Sequence, residues 1–162
     1  MKKLVLSGLF LVGFALSINA QEISDNALGL RLGDSDGFGA EISYQHALGG
    51  TNRLEADLGW RDGNSYNAFR ITGLYQWVMP IENSFNWYVG VGGGFGNVDY
   101  DDDIFGNLDS EFFVYVAGDI GIEYNFDIPL LLSLDFRPEL GFNDNFNNDL
   151  DFDIALGIRY QF

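Results

Sequence analysis

The chain contains no cysteine. That alone excludes a disulfide scaffold, a thiolate metal site and a lipid-modified N-terminal cysteine. Lysine is almost as scarce: Lys2 and Lys3 are the only two, and both precede residue 20. Histidine occurs once, as His46, and proline three times. Beyond residue 20 there is no apolar run of about 18 residues, the length a membrane helix needs. Helical periodicity, a sequence repeat longer than the strand pattern and a second domain are missing as well. The formal charge of −16 argues against nucleic acid as a partner, because phosphates demand cations. An aromatic content of 16% argues equally against disorder.

What is present begins with a secretory pattern. Lys2 and Lys3 lead an apolar run from Leu4 to Ile18, and Ala20 precedes Gln21. Residues 1–20 are therefore expected to be a signal peptide of the Sec type, cleaved on export, although Ile18 is larger than the residue usual there. Residues 21–162 are then one domain. That mature chain carries six arginines and no lysine against 24 acidic residues, a net charge of about −18.

The mature chain alternates apolar and polar residues with period two. Phe152, Ile154, Leu156, Ile158, Tyr160 and Phe162 share one face, with Asp151, Asp153, Ala155, Gly157, Arg159 and Gln161 on the other. The preceding segment sets Leu130, Leu132, Leu134, Phe136, Pro138 and Leu140 against Leu131, Ser133, Asp135, Arg137, Glu139 and Gly141. The same pattern predicts eight strands, at 27–33, 38–48, 53–61, 67–79, 84–96, 111–126, 130–141 and 151–162. Most have about the length of a tilted membrane strand. Tight turns are expected at Gly49 to Asn52, Pro80 to Asn83 and Asp127 to Pro129. The opposite connections, 34–37, 62–66, 97–109 and 143–149, include two long acidic ones. Short turns at one end and longer loops at the other are an outer-membrane barrel pattern.

Alternation does not say which face points outward, since a lipocalin-like carrier also has eight strands. Volume decides first: the apolar face holds over thirty mostly large side chains, and a barrel of eight strands encloses little space. Charge decides second: Arg31, Arg53, Arg61, Arg70, Arg137 and Arg159 all fall on the polar face, and arginine without lysine suits an enclosed space. Aromatic placement decides third. Tyr44, Tyr75, Trp77, Phe85, Trp87, Tyr124, Phe126, Tyr160 and Phe162 cluster at the short-turn end. Trp60, Phe69, Phe112, Phe142 and Phe152 lie toward the other. Two such girdles mark membrane interfaces. The expected fold is thus all-β, an eight-stranded antiparallel up-and-down transmembrane β-barrel.

The whole mature chain resembles the small eight-stranded outer-membrane proteins, the OmpA transmembrane-domain and OmpX/Ail-like group. The C-terminal Ile158, Tyr160 and Phe162, alternating outward around Arg159 and Gln161, resemble the signal by which the barrel-assembly machinery recognises its clients. The resemblance implies the outer membrane, with its bilayer and lipopolysaccharide, as the setting, and a monomer as the state. The loops match no adhesion motif.

Within the barrel an ion-pair network is expected from Arg31, Glu41, Glu55, Asp57, Arg70, Asp119, Asp135, Arg137, Glu139, Asp153 and Arg159. Short-turn hairpins suggest Arg31 with Glu41, Asp57 with Arg70, and Asp119 with Arg137. A plug that fixes register is favoured over a selective pore, because eight strands leave little lumen. Gly90, Gly92 and Gly94 are expected to lie opposite Ala117, Tyr115 and Phe113, beneath large rings. Asp99, Asp101 and Asp103 have the spacing of calcium ligands, yet Ile104 replaces the needed glycine and Ser110 the needed glutamate, so a solvated loop is the preferred reading. His46 is expected at the membrane interface beside Tyr44. Pro138 should force a bulge between Arg137 and Glu139. No cofactor, metal or catalytic site is expected and no enzyme. The expected role is structural, envelope integrity or surface interaction through acidic loops. A narrow channel and a secreted carrier of a hydrophobic ligand are the alternatives.

Overall fold

The computed structural model describes residues 23–33, 39–62, 66–82, 84–100, 110–142 and 150–162, the side chains of Tyr66 and Tyr100 aside. The signal segment, Phe38 and the loops at 34–37, 101–109 and 143–149 lie outside the described residues.

A chain alternating with period two can bury one kind of side chain only when it is extended, and an extended strand needs partners on both edges. Eight strands meet that need: β1 (Asn26–Leu32), β2 (Glu41–Gly49), β3 (Asn52–Asp62), β4 (Tyr66–Glu82), β5 (Phe85–Tyr100), β6 (Glu111–Asn125), β7 (Leu130–Phe142) and β8 (Leu150–Gln161). Each pairs antiparallel with its sequence neighbours, and β1 returns to β8 to close an up-and-down barrel. At the seam Asn26 and Phe162 exchange two backbone hydrogen bonds of 3.1 and 2.9 Å.

The turn between β2 and β3 uses left-handed backbone at Gly49 and Gly50, with φ of 98° and 63°. A Cβ is costly there, which accounts for the glycine pair. Two features differ from the sequence expectation at this end and beyond. Pro80 is not in a turn: β4 runs through it to Glu82, Pro80 faces Asn86, and a register shift between Pro80 and Glu82 absorbs the ring. At the other end β5 continues to Tyr100, so Asn97 to Tyr100 are strand rather than loop, and Asp99 pairs with Asn67.

Pro138 brings no bulge. β7 keeps an unbroken register with β8 through Arg137, Pro138 and Glu139. The missing N–H falls on the β6 side, where pairing lapses between Ala117↔Glu139 and Ile120↔Phe136 without slipping. Gly118 and Asp119 lie in that gap, Gly118 opposite Pro138 in the register. A Cβ on Gly118 would lie 3.2 Å from the Pro138 ring, so glycine leaves the space that proline occupies.

The faces sort as the three arguments above require. Arg31, Arg53, Arg70, Arg137 and Arg159 are at most 2% exposed inside, whereas Trp60 is 76% and Ile154 65% exposed outside. An interior of charges has no place for a hydrophobic ligand, which removes the carrier reading. Inside, the wall divides. Ionic groups come chiefly from β1 to β3, β7 and β8, while β4 to β6 contribute glycines and the apolar cluster of Leu74, Tyr115, Ala117 and Phe113.

The rings do lie over glycines, but two residues from the expected register. Gly90 faces Asp119, Gly92 faces Ala117, Gly94 faces Tyr115 and Gly96 faces Phe113. A Cβ on Gly94 would meet the Tyr115 ring, one on Gly96 the Phe113 ring, and one on Gly121 the Tyr88 ring. The loop joining β5 to β6 is too long to set register, so the fit of ring to glycine sets it instead.

Candidate functional site

Inward parity places a long cation in the lumen on several strands, and each reaches groups on neighbouring or opposite strands. Arg31 on β1 places Nη1 3.0 Å from Glu41 Oε2 on β2, donates from Nε to Asp135 Oδ1 on β7 at 3.0 Å, and brings Nη1 within 2.6 Å of Asp153 on β8. Arg70 on β4 donates to Glu41 Oε1 at 2.6 Å and to Glu139 Oε2 at 3.2 Å. Arg137 on β7 reaches Glu55 at 3.0 Å and Asp57 at 2.9 Å, both on β3. Arg159 on β8 donates to Ser43 Oγ at 2.9 Å, Ser133 Oγ at 2.8 Å and Glu55 Oε2 at 3.2 Å. Glu41 and Glu55 are the junctions, since each serves more than one arginine.

The structure brings together Arg31 and Glu41 as the hairpin suggests, but two other pairings are replaced. Asp57 meets Arg137 rather than Arg70, and Asp119 accepts from Gln76 Nε2 rather than from Arg137. A guanidinium stands several bonds from its backbone and the lumen is narrow, so it crosses to the far wall more easily than it bends along its own.

Sequence reasoning passed over the neutral members. Carboxylates outnumber guanidinium groups here, and amides and hydroxyls supply further donors. Gln45 Nε2 donates to Glu55 Oε2 at 2.5 Å, and Asn86 Nδ2 donates to Glu123 Oε1 at 3.1 Å. Thr72 and the Tyr115 hydroxyl share a hydrogen bond. Tyr88 lies against Arg53, whose guanidinium carbon is 4.8 Å from the ring centroid. Their inward parity was the available signal. Charge drew attention to the ionic residues alone.

Outside, ring pairs occupy both ends of the strands. At the short-turn end are Tyr75 with Trp77 at 4.8 Å, Phe85 with Tyr124 at 4.7 Å and Tyr160 with Phe162 at 6.3 Å. At the loop end are Phe136 with Phe152 at 5.5 Å and Phe95 with Phe112 at 6.1 Å. Aliphatic residues such as Leu58, Ile71, Val116, Leu134 and Leu156 are exposed between them. Ile158, Tyr160 and Phe162 belong to this outer face, all exposed. His46 is exposed too, with Nδ1 3.0 Å from Asn26 Oδ1, which also accepts from the Tyr44 hydroxyl at 2.7 Å. Asp99 Oδ1 accepts from Asn97 Nδ2 at 2.7 Å on β5; Asp101 and Asp103 lie outside the described residues. No described helix is long and apolar enough to cross a membrane.

No known family model matches the chain, nor does any curated protein sequence. Solved structures do. The N-terminal β-barrel domain of Pseudomonas aeruginosa OprF superposes with a TM-score of 0.67 at 12% identity, covering 86% of this chain and 98% of that one. Neisserial surface protein A gives 0.60 at 13%, covering 85% and 94%. Ail, the attachment invasion locus protein of Yersinia pestis, gives 0.56 at 15%, covering 86% and 97%. At these identities the likeness is one of fold: the chain has the architecture of small eight-stranded transmembrane barrels.

Proposed function

We propose that this chain is an integral outer-membrane β-barrel, exported through a cleaved signal at residues 1–20, with a lumen plugged by its own ion pairs. The observation that carries the reading is the inverted polarity. Five arginines lie enclosed, each at most 2% exposed, behind a continuous apolar exterior with aromatic ends. Such a surface is unfavourable in water and favourable among acyl chains, and a closed ladder meets the backbone's need for hydrogen bonds there.

The mechanism is physical. The outer band dissolves in the bilayer, and the ion pairs lock opposite walls together. The barrel holds acidic loops, chiefly the stretch after Tyr100 and residues 143–149, on the lipopolysaccharide side. Its role is envelope integrity or surface interaction, performed as a monomer without cofactor. Ile158, Tyr160 and Phe162 serve as the recognition signal for the barrel-assembly machinery. The comparison with Ail and neisserial surface protein A supports a surface role only through shared fold.

Two experiments test this. Fractionation should recover the protein in the outer membrane, with unheated and boiled samples migrating differently. Planar bilayers should show no large, stable conductance steps. A soluble periplasmic protein would overturn the membrane reading, and regular channel openings would overturn the plug.

A further inference from the structure

Each of the three short connections carries one exposed aliphatic side chain. Leu48 precedes Gly49, Ile81 precedes Glu82, and Ile128 lies between Asp127 and Pro129; they are 49%, 58% and 61% exposed. Turns favour glycine, proline, asparagine, aspartate and serine, so a bare aliphatic group at every tip calls for another cause. Backbone bonds fix each connection to a further strand. The Val78 N–H donates to the Thr51 carbonyl at 2.8 Å, the Asn125 N–H to that of Ser84 at 2.8 Å and the Gln161 N–H to that of Pro129 at 3.1 Å. The tips are thus held in place while their side chains stay uncovered. They also encircle the rim. Leu48, Ile81 and Ile128 belong to alternate hairpins, and Phe162, 60% exposed, fills the remaining interval at the β1–β8 seam.

We propose that these four side chains form an anchoring rim, sunk into the headgroup–acyl boundary of the phospholipid leaflet at the short-turn end. The inference rests on the membrane reading. Continuity with the ring band supports it: Phe85 pairs with Glu82, next to Ile81, and Phe126 stands two residues from Ile128. Distribution selects the partner. A protein would meet one side of the rim, whereas a bilayer meets every side at once. Glu82 and Asp127, exposed beside Ile81 and Ile128, stop the tips at the polar edge, because a carboxylate resists entry into hydrocarbon. Tips already fixed by backbone bonds lose little freedom on insertion, so most of the gain from burying them is kept as anchoring. The rim thereby sets how deep the barrel sits.

With no native cysteine, the single variants Leu48→Cys, Ile81→Cys and Ile128→Cys each take one environment-sensitive fluorophore. The probe surface is a nanodisc of phosphatidylethanolamine and phosphatidylglycerol, and heat-modifiable migration checks that each variant is folded. All three labels should emit to the blue of one at Asp25→Cys, lose iodide quenching and gain quenching by lipid spin-labelled at the top of the acyl chain. A label at Leu134→Cys, on the exposed outer face between the aromatic ends, reports on the membrane reading itself. If that label escapes quenching by spin-labelled lipid, the membrane reading falls and the rim with it. If it is quenched by lipid while the tip labels respond to iodide as Asp25→Cys does, the anchoring rim alone is overturned.

Discussion

Arg137 is the most informative residue to remove. It is fully buried and touches Glu55 at 3.0 Å and Asp57 at 2.9 Å. In Arg137→Met, Glu55 retains Arg159 and Gln45. Asp57 keeps no ion pair: among the described residues Arg137 is its one cation within 4 Å. A buried carboxylate stripped of its partner costs about 3–5 kcal/mol. With a urea slope of about 2 kcal/mol per M, the unfolding midpoint should fall by about 2 M. The outward-facing tryptophans, Trp60, Trp77 and Trp87, report the transition by fluorescence in lipid vesicles. Asp57→Asn added to Arg137→Met should recover part of the loss, because the orphaned charge is then gone. Arg70→Ala leaves Glu41 with Arg31 but strips Glu139 of its ion pair, so it should cost a comparable amount, and it should open no channel. A midpoint for Arg137→Met within about 0.2 M of wild type, or no recovery in the double variant, would refute the view that these pairs brace the barrel.

Three further outcomes follow from particular contacts. Gly121→Ala would put a Cβ 2.5 Å from the Tyr88 ring and 2.8 Å from the Leu134 carbonyl oxygen, and should cost about 1–3 kcal/mol in the same urea assay. Gly73→Ala meets nothing within 4 Å and should stay within about 0.5 kcal/mol of wild type, so equal effects of the two would discredit the ring-over-glycine packing. Leu134→Arg, on the outward face between the aromatic ends, should cost about 2–4 kcal/mol in vesicles; a neutral result there would mean that this face does not meet hydrocarbon. Phe162→Ala should lower the fraction of heat-modifiable protein in isolated outer membranes while leaving refolding in detergent intact, and unchanged membrane yield would remove the assembly role.

The eight strands and the orientation of their faces were legible because period two leaves only one way to sort Phe152 from Asp153 and Leu134 from Asp135. Strand ends were less so. Whether Asn97 to Tyr100 extend β5 depends on β4 offering Asn67 and Tyr66 opposite, which alternation within one strand does not encode. Pro138 misled for a related reason: its tolerance comes from Gly118 on another strand. Ion-pair partners were the hardest to read. Hairpin register gives the residue beside Asp57, whereas its partner, Arg137, projects from four strands away. The neutral members, Gln45, Gln76 and Ser43, carry no charge to announce them, yet they hydrogen-bond to Glu55, Asp119 and Arg159.

The confinement of arginine has a consequence for proteolysis. Beyond residue 20 there is no lysine, the loops and turns outside the described residues contain no arginine, and of the six arginines Arg137 is not a tryptic site because Pro138 follows it. Five of the six are sealed behind the wall, and only Arg61, half-buried near the loop end, is within sight of a protease. The intact barrel is therefore almost invisible to trypsin, while residues 21–162 unfolded in urea become six peptides, because Pro138 blocks cleavage after Arg137.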